Sequence, residues 1–365
     1  MNYKLRITNV LLLAIGYQLS AVFSLSAQDT AHHAVAGNDT VKASTLQPAQ
    51  GAEINYNTGI ADFGKGDFKT AITDFDQAIN LKPDFEQAYL NRGNAKFKLK
   101  DYTGALSDYT KATTLNANDD KAWYGVGMIQ NINGAKDQAM DAFSKAILAN
   151  SKNAECYFYR GELKFQAKDY AGAMEDFSSA VAFKQDYADA YNDRGSCKVE
   201  TKDYKGAIED YNRAIAISKT ANTYNNLGSA QRKLGNNDDA IASYSVALAL
   251  KPDYFEALNN RGTAKFNKGD YDGAIVDFGK AIELNSSYSI AFNNRATAEF
   301  KLNKYQEAKN DCDKAITLDP NYGYAYLNRG IAEEMLRKQT DACSDWHKAA
   351  SLGIAAATDY SQDCQ

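Results

Sequence analysis

The chain repeats itself every 34 residues, nine times over, and a period of that length leaves few folds open. Counted from Ala52, units begin at residues 52, 86, 120, 154, 188, 221, 255, 289 and 323, the fifth being one residue short. Positions 20 and 27 are Ala in all nine units, from Ala71 and Ala78 to Ala342 and Ala349. Position 8 is Gly in eight, with Ala296 the exception, and position 24 is aromatic in eight, with Cys312 the exception. Positions 4 and 8 lie one turn apart on a first helix, and 20, 24 and 27 share one face of a second. Gly inside a helix costs about 1 kcal/mol relative to Ala, so its recurrence asks for a packing reason. Small residues at 8, 20 and 27 let two backbones approach while the ring at 24 fills the space beside them. Gly or a polar residue near position 15 makes the turn, and Pro83, Pro252 and Pro320 at position 32 stop the second helix. One such pair cannot bury both its faces, so the units must stack.

The stretches AYLNRGNAKFKLKDYTGALSDYTKA (88–112) and ALNNRGTAKFNKGDYDGAIVDFGKA (257–281) resemble the tetratricopeptide repeat family at positions 4, 8, 17, 20, 24 and 27 together. The resemblance spans about 52 to 356 and implies an all-α, right-handed α-solenoid of nine helix-turn-helix units over 52–353, closed by a C-terminal cap over 354–365. Lys136, Asn237 and Gln339 stand where the family has an aromatic at position 17, so looser turns are expected in units 3, 6 and 9.

Charge pairs follow the same frame. Position 7 is Arg in six units (Arg92, Arg160, Arg194, Arg261, Arg295, Arg329), and each of those has Asp at position 23 (Asp108, Asp176, Asp210, Asp277, Asp311, Asp345). Where position 7 is Val126 or Leu227, position 23 is Ala142 or Ser243. Pairing each Asp with the next unit's Arg fits worse, so a bridge between the two helices of one unit is expected. Solvated charges are the plainer alternative.

The family's concave groove is lined from positions 2, 5, 6 and 9 of the first helix. On these positions fall Tyr56 and Tyr124 at 5, Tyr159 at 6 and Tyr324 at 2, together with Phe158. Position 6 is Asn in six units: Asn57, Asn91, Asn226, Asn260, Asn294 and Asn328. An amide offers donor and acceptor together, so such a row can pair with the backbone of an extended peptide. The row is similar to the asparagine ladder of the repeat domain of O-linked N-acetylglucosamine transferase. The expectation is a groove with polar ends and an aromatic middle of Tyr124, Phe158 and Tyr159. A merely polar, solubilising face is the alternative. The family's clamp for carboxylate tails is not supported, because the position-9 Asn94 is preceded by Leu90 rather than Lys.

Chemistry finds little footing. His32 and His33 precede the repeats and His347 follows Trp346; none meets a Ser or Cys nucleophile. Three His and five Cys without a C-x-x-C give no zinc pattern, so neither metal nor cofactor is expected. With 41 basic and 46 acidic residues the net charge is −5, which disfavours nucleic acid as a partner. Cys156, Cys197 and Cys312 sit at packing positions, whereas Cys343 and Cys364 belong to the terminal cap and could bond in an oxidising compartment, provided their Cα atoms lie within about 7 Å.

Residues 1–27 carry Lys4 and Arg6, an apolar run from Val10 to Leu25, and Ser26-Ala27 before Gln28, the layout of a secretory signal peptide; the run is shorter than the roughly 20 residues a spanning helix needs, so a retained membrane anchor is the weaker reading. Its end and the closing ACSDWHKAASLG resemble those of exported bacterial repeat proteins. Residues 28–51 read as a flexible leader. The sequence therefore points to an exported, periplasmic or secreted, non-enzymatic scaffold that binds a protein or peptide, with a glycan-binding solenoid of the cell envelope, or an enzyme of unrecognised type, as alternatives.

Overall fold

The computed structural model describes residues 48–362 and Cys364; the signal segment and most of the leader lie outside them. Ala52–Gln365 form one compact unit, distinct from Met1–Gly51. Nineteen α-helices and no strand occur among the described residues. Units 1 to 3 are α1 (Pro48–Gly64) with α2 (Phe68–Leu81), α3 (Glu86–Lys98) with α4 (Tyr102–Leu115), and α5 (Asp120–Ile132) with α6 (Lys136–Ala149). Units 4 to 6 are α7 (Ala154–Gln166) with α8 (Tyr170–Phe183), α9 (Ala188–Glu200) with α10 (Tyr204–Ile217), and α11 (Ala221–Lys233) with α12 (Asn237–Leu250). Units 7 to 9 are α13 (Phe255–Asn267) with α14 (Tyr271–Leu284), α15 (Ser289–Lys301) with α16 (Tyr305–Leu318), and α17 (Gly323–Met335) with α18 (Gln339–Ser351), after which α19 (Ala355–Gln362) caps the end. The leader expectation is corrected at one point: α1 begins at Pro48, inside 28–51. Proline suits the first helical position, where its missing N–H has no partner to lose.

From α2 onward each helix packs against the next, which is the α-solenoid. First helices of neighbouring units also touch directly, as α7 with α9 and α15 with α17, so they lie on the inner side of the stack.

The spacing is set by a ring lying on a glycine. A Cβ placed on Gly59, Gly161 or Gly262 would come within 2.7–2.9 Å of Phe75, Phe177 or Phe278. All three rings are at most 1% exposed, and burying such a ring contributes roughly 1.5–3 kcal/mol. The exception proves the pairing, since Ala296 faces Cys312, the one position-24 residue without a ring. Where the ring is Tyr, position 9 supplies a partner for its hydroxyl: Asn94 for Tyr109 at 2.8 Å, Ser196 for Tyr211 at 3.2 Å, Ser229 for Tyr244 at 3.1 Å. Asn94 is thereby committed to the core.

Position 15 is left-handed in every unit, at Gly66, Gly134, Gly235 and Gly269 and, with φ of 61–65°, at Lys100, Lys168, Lys202, Asn303 and Arg337. In most units an Asp at position 16 then caps the second helix, as Asp203 does for Gly206 N–H at 3.0 Å. Ala135, Asn236, Lys304 and Lys338 make no such side-chain bond. Units 3, 6 and 9, which have no aromatic at position 17, therefore lack both the side-chain cap and ring pairs such as Phe97–Tyr102 and Phe266–Tyr271, while unit 8 lacks the cap but keeps the pair Phe300–Tyr305.

Replacing Gly262 by Ala should destabilise the chain by about 1–3 kcal/mol despite the better helix former, because the new methyl meets the Phe278 ring. In a urea-melt double-mutant cycle, Gly262→Ala and Phe278→Cys should be strongly non-additive, with the methyl costing little once the ring is gone. Additive effects would show that the ring is not the obstacle.

Candidate interaction face

Six arginine forks hold the two helices of a unit together. Arg92, Arg160, Arg194, Arg261, Arg295 and Arg329 each donate through Nε and one Nη to both oxygens of the position-23 carboxylate, at 2.6–3.0 Å. The acceptors Asp108, Asp176, Asp210, Asp277, Asp311 and Asp345 are all buried. Two further contacts were not read from the sequence. A Lys at position 11 reaches the same carboxylate at 2.8 Å, as Lys96, Lys164, Lys198 and Lys265 do in units 2, 4, 5 and 7. In five of the six the other arginine Nη extends back to position 25 of the preceding unit: Asp76 at 2.5 Å, Ser144 at 3.0 Å, Ser178 at 3.2 Å, Ser245 at 3.1 Å and Asp313 at 2.7 Å; before Arg295 that position is Gly279. One guanidinium thus joins a helix pair and staples it to its neighbour. The signal was present in the sequence, since Lys recurs at position 11 in those units and gives way to Gln130 and Gln231 where the Asp is absent. Gln231 there accepts a bond from Ser243 at 2.7 Å.

The asparagine row is half-buried rather than open. Asn226 donates to Asn192 at 3.1 Å, Asn260 to Asn225, Asn294 to Asn259 and Asn328 to Asn293, each of the last three at 2.9 Å. Each bond runs from position 6 of one unit to position 5 of the unit before, so the amides form rungs between units 5 and 9. In the N-terminal half Asn91 donates to Tyr56 Oη at 2.9 Å, and Asn57 is exposed. The Oδ1 atoms of Asn226, Asn260, Asn294 and Asn328 accept no side-chain hydrogen bond among the described residues.

The expected aromatic middle is corrected. Tyr124, Phe158 and Tyr159 are 7%, 6% and 3% exposed. They pack into the core, Phe158 on Tyr187 at 4.8 Å and Tyr159 stacked on Phe143 at 5.8 Å. For Tyr124 and Phe158 the reason is that position 5 points into the seam between units, where Leu90, Asn225, Asn259, Asn293 and Leu327 are buried as well, whereas Tyr159, at position 6, is covered by its packing on Tyr124 and Phe143. Tyr56 likewise leans on Phe85 at 4.9 Å. Of the five aromatics only Tyr324 is open, at 56%. Carboxylates occupy the middle instead. Burial, reinforced by Asp193 and Asp189, holds the Glu162 carboxyl well above its ordinary range, and burial raises Asp193 to about 7 even as Asn192 donates to it.

At the far end Cys343 and Cys364 form a disulfide with Cα atoms 5.6 Å apart, pinning the end of the cap to α18, with Trp346 against Tyr360 at 5.0 Å. Cys156, Cys197 and Cys312 are buried thiols. His347 is exposed and bonds the Cys343 carbonyl, at 2.7 Å. Among the described residues no cluster of three or more His, Cys, Asp and Glu could hold a metal ion, and no helix is long and apolar enough to cross a membrane.

Burial pushes the Asp277 carboxyl up, but the bonds from Arg261 and Lys265 outweigh it and the net shift is downward. A depressed folded value contributes stability above the unfolded value near pH 4 that is lost as pH falls through the folded one. Asp277→Asn should therefore flatten the acid limb of a urea-melt series from pH 7 to pH 2.5. At pH 7 it should cost about 3–5 kcal/mol by stranding the buried fork. An unaltered acid limb would refute the bridge's role.

Sequence profiles of the tetratricopeptide repeat match residues 59–100, 90–154, 133–188, 188–220, 228–269, 255–288 and 289–322. No curated protein matches the sequence. Among solved structures, the Cut9–Hcn1 hetero-tetramer of the APC/C aligns over 86% of this chain and 76% of its own at 16% identity and a TM-score of 0.55. The C-terminal part of a repeat-containing protein from Cytophaga hutchinsonii aligns over 66% and 98% at 17% identity and 0.53. YrrB, a repeat protein with an unusual peptide-binding site, aligns over 51% and 97% at 25% identity and 0.44. The first two share the fold.

Proposed function

The chain belongs to the tetratricopeptide repeat family, and from that premise we propose that it is a non-enzymatic scaffold holding an extended peptide segment of a partner protein against its first helices. The observation that supports this most is the run of four asparagine rungs between units 5 and 9. Each rung fixes an amide in one orientation at a regular interval, with its carbonyl oxygen still able to accept. A peptide backbone presents donors at regular intervals too, so a rigid file of acceptors binds main chain with little demand on side chains. Because the rungs hold the amides in place beforehand, little ordering entropy is lost on binding. Tyr324, exposed beside the last rung, supplies an apolar contact at one end. The rings that would have stacked on sugars are buried in the seams, which removes the main support for a glycan ligand.

We further propose that the protein is exported and works in an oxidising compartment. The layout of residues 1–27 and the Cys343–Cys364 bond support this together, since such bonds persist outside the cytosol.

Peptides selected against the full chain from a random library should bind wild type and lose at least tenfold in affinity, by calorimetry, in the Asn226→Ala, Asn260→Ala, Asn294→Ala, Asn328→Ala variant, each lost contact being worth about 1 kcal/mol. Far-ultraviolet circular dichroism would confirm that the variant remains helical. Equal affinity in a folded variant would remove the rungs from the binding account.

A further inference from the structure

Units 8 and 9 break the charge pattern of the stack at one place. Position 11, the Lys that reaches the buried Asp in units 2, 4, 5 and 7, is Glu299 and Glu333. Both are buried, 9% and 5% exposed, and the Oε2 of each has no hydrogen-bond partner among the described residues. Each lies beside a position-23 carboxylate, Asp311 or Asp345, whose two oxygens are already held by Arg295 or Arg329.

The surroundings do not balance the extra charge. Glu299 faces Asp311 and Glu307 on α16, Arg295 on its own helix and Lys304 in the turn. Lys304 is half-exposed and lies 3.8 Å from Asp272 on α14. Glu333 faces Asp345 and Asp341 on α18 and Arg329 on its own helix. Lys309 of α16 stands 3.8 Å from Glu333, but its closer partner is Asp313 at 2.8 Å. Arg329 divides itself between Asp345 and Asp313. In both seams an anion occupies the place of a cation; Lys309 offsets Glu333 only in part, being held closer to Asp313, and among the described residues no cation forms an ion pair with Glu299.

We propose that units 8 and 9 are a proton-operated clasp at the C-terminal end of the array, closed when Glu299 and Glu333 carry protons and loosened when both are ionised. The ionised carboxylate must sit dry beside a second one, whereas the neutral acid removes the repulsion and brings a donor to an acceptor-rich seam. Burial first, and the neighbouring Asp second, push both carboxyls up to about 7. A folded value raised above the unfolded one makes the folded form bind more protons between the two. The clasp is therefore tightest below the unfolded value near pH 4, weakens as pH rises, and has lost the full contribution above about pH 7. The Asn293–Asn328 rung and Tyr324 belong to these two units, so the clasp would set the order of that end of the inner face.

Hydrogen exchange of the full, disulfide-bonded chain, without ligand and corrected for intrinsic rates, tests this at pH 5.5 and 8.5. Protection in α15–α18 should be at least roughly tenfold higher at pH 5.5, since that pH lies between the unfolded value near 4 and the folded value of about 7, where each pH unit below the folded value changes the opening equilibrium by a factor of about ten. The Glu299→Gln, Glu333→Gln chain should keep high protection at both pH values, and Glu299→Lys, Glu333→Lys should match it at pH 8.5. Wild-type protection that does not change with pH would overturn the clasp. So would a change shared equally with α3–α14, or one that persists in the Gln chain, where His347 still titrates. No peptide is present in this measurement, so it stands or falls apart from the groove.

Discussion

The contact on which the rest depends is a flat ring resting on bare backbone. A helix pair held at ordinary side-chain distance would bury its ring and alanines only partly and leave its outer faces wet. Glycine at position 8 lets the second helix close until the ring touches main chain, and Ala at 20 and 27 keeps the flanks narrow. The resulting pair is thin, so its remaining apolar surface can be covered only by another pair of the same thickness. Growth by stacking then follows from one residue in 34, and the array ends where something else covers the last face. Here that is α19, held by a disulfide and by Tyr360 against Trp346.

Charge is the second binder, and it works because it is shared. A lone buried Arg–Asp pair barely compensates for the water it gives up. In units 2, 4, 5 and 7 the Asp receives a fork and a lysine, while the Arg keeps one nitrogen for the unit before. Both oxygens of the buried Asp are satisfied in this way, and units are tied to each other as well as within themselves. That linkage makes the Glu at position 11 of the last two units more than a local oddity, since it is set into a seam built for the opposite sign.

Much of this was legible in the residues. The ring and the glycine change together at Ala296 and Cys312, and the Arg and the Asp vanish together at Val126/Ala142 and Leu227/Ser243, so partners could be matched by their exceptions. The inner face was less legible. Positions 5 and 6 are adjacent in sequence and point about 100° apart on a helix, which is enough to send Tyr124 and Phe158 into the seam while leaving Asn226 half in the open. The rungs join residues 34 or 35 apart and depend on how one unit is set against the next, which no pattern within a unit encodes. The Asn-Asn pairs at 225–226, 259–260 and 293–294 were the available trace, because one member of each donates backward and the other accepts from ahead.

The rungs also explain why the two halves of the inner face should differ in what they can hold. Between units 2 and 4 the seam is filled by aromatic rings, and at units 4 and 5 it holds the carboxyls of Glu162 and Asp193, which burial raises above their ordinary range. From there to unit 9 it is filled by amides, which are neutral at any pH and fixed in direction by their own bonds. A fixed, uncharged acceptor row suits main-chain donors, and its strength does not depend on salt as an ion pair's would. The titratable groups lie beneath it, in the seams between the two helices of a unit, so acidity can alter how firmly the row is held without altering what the row presents.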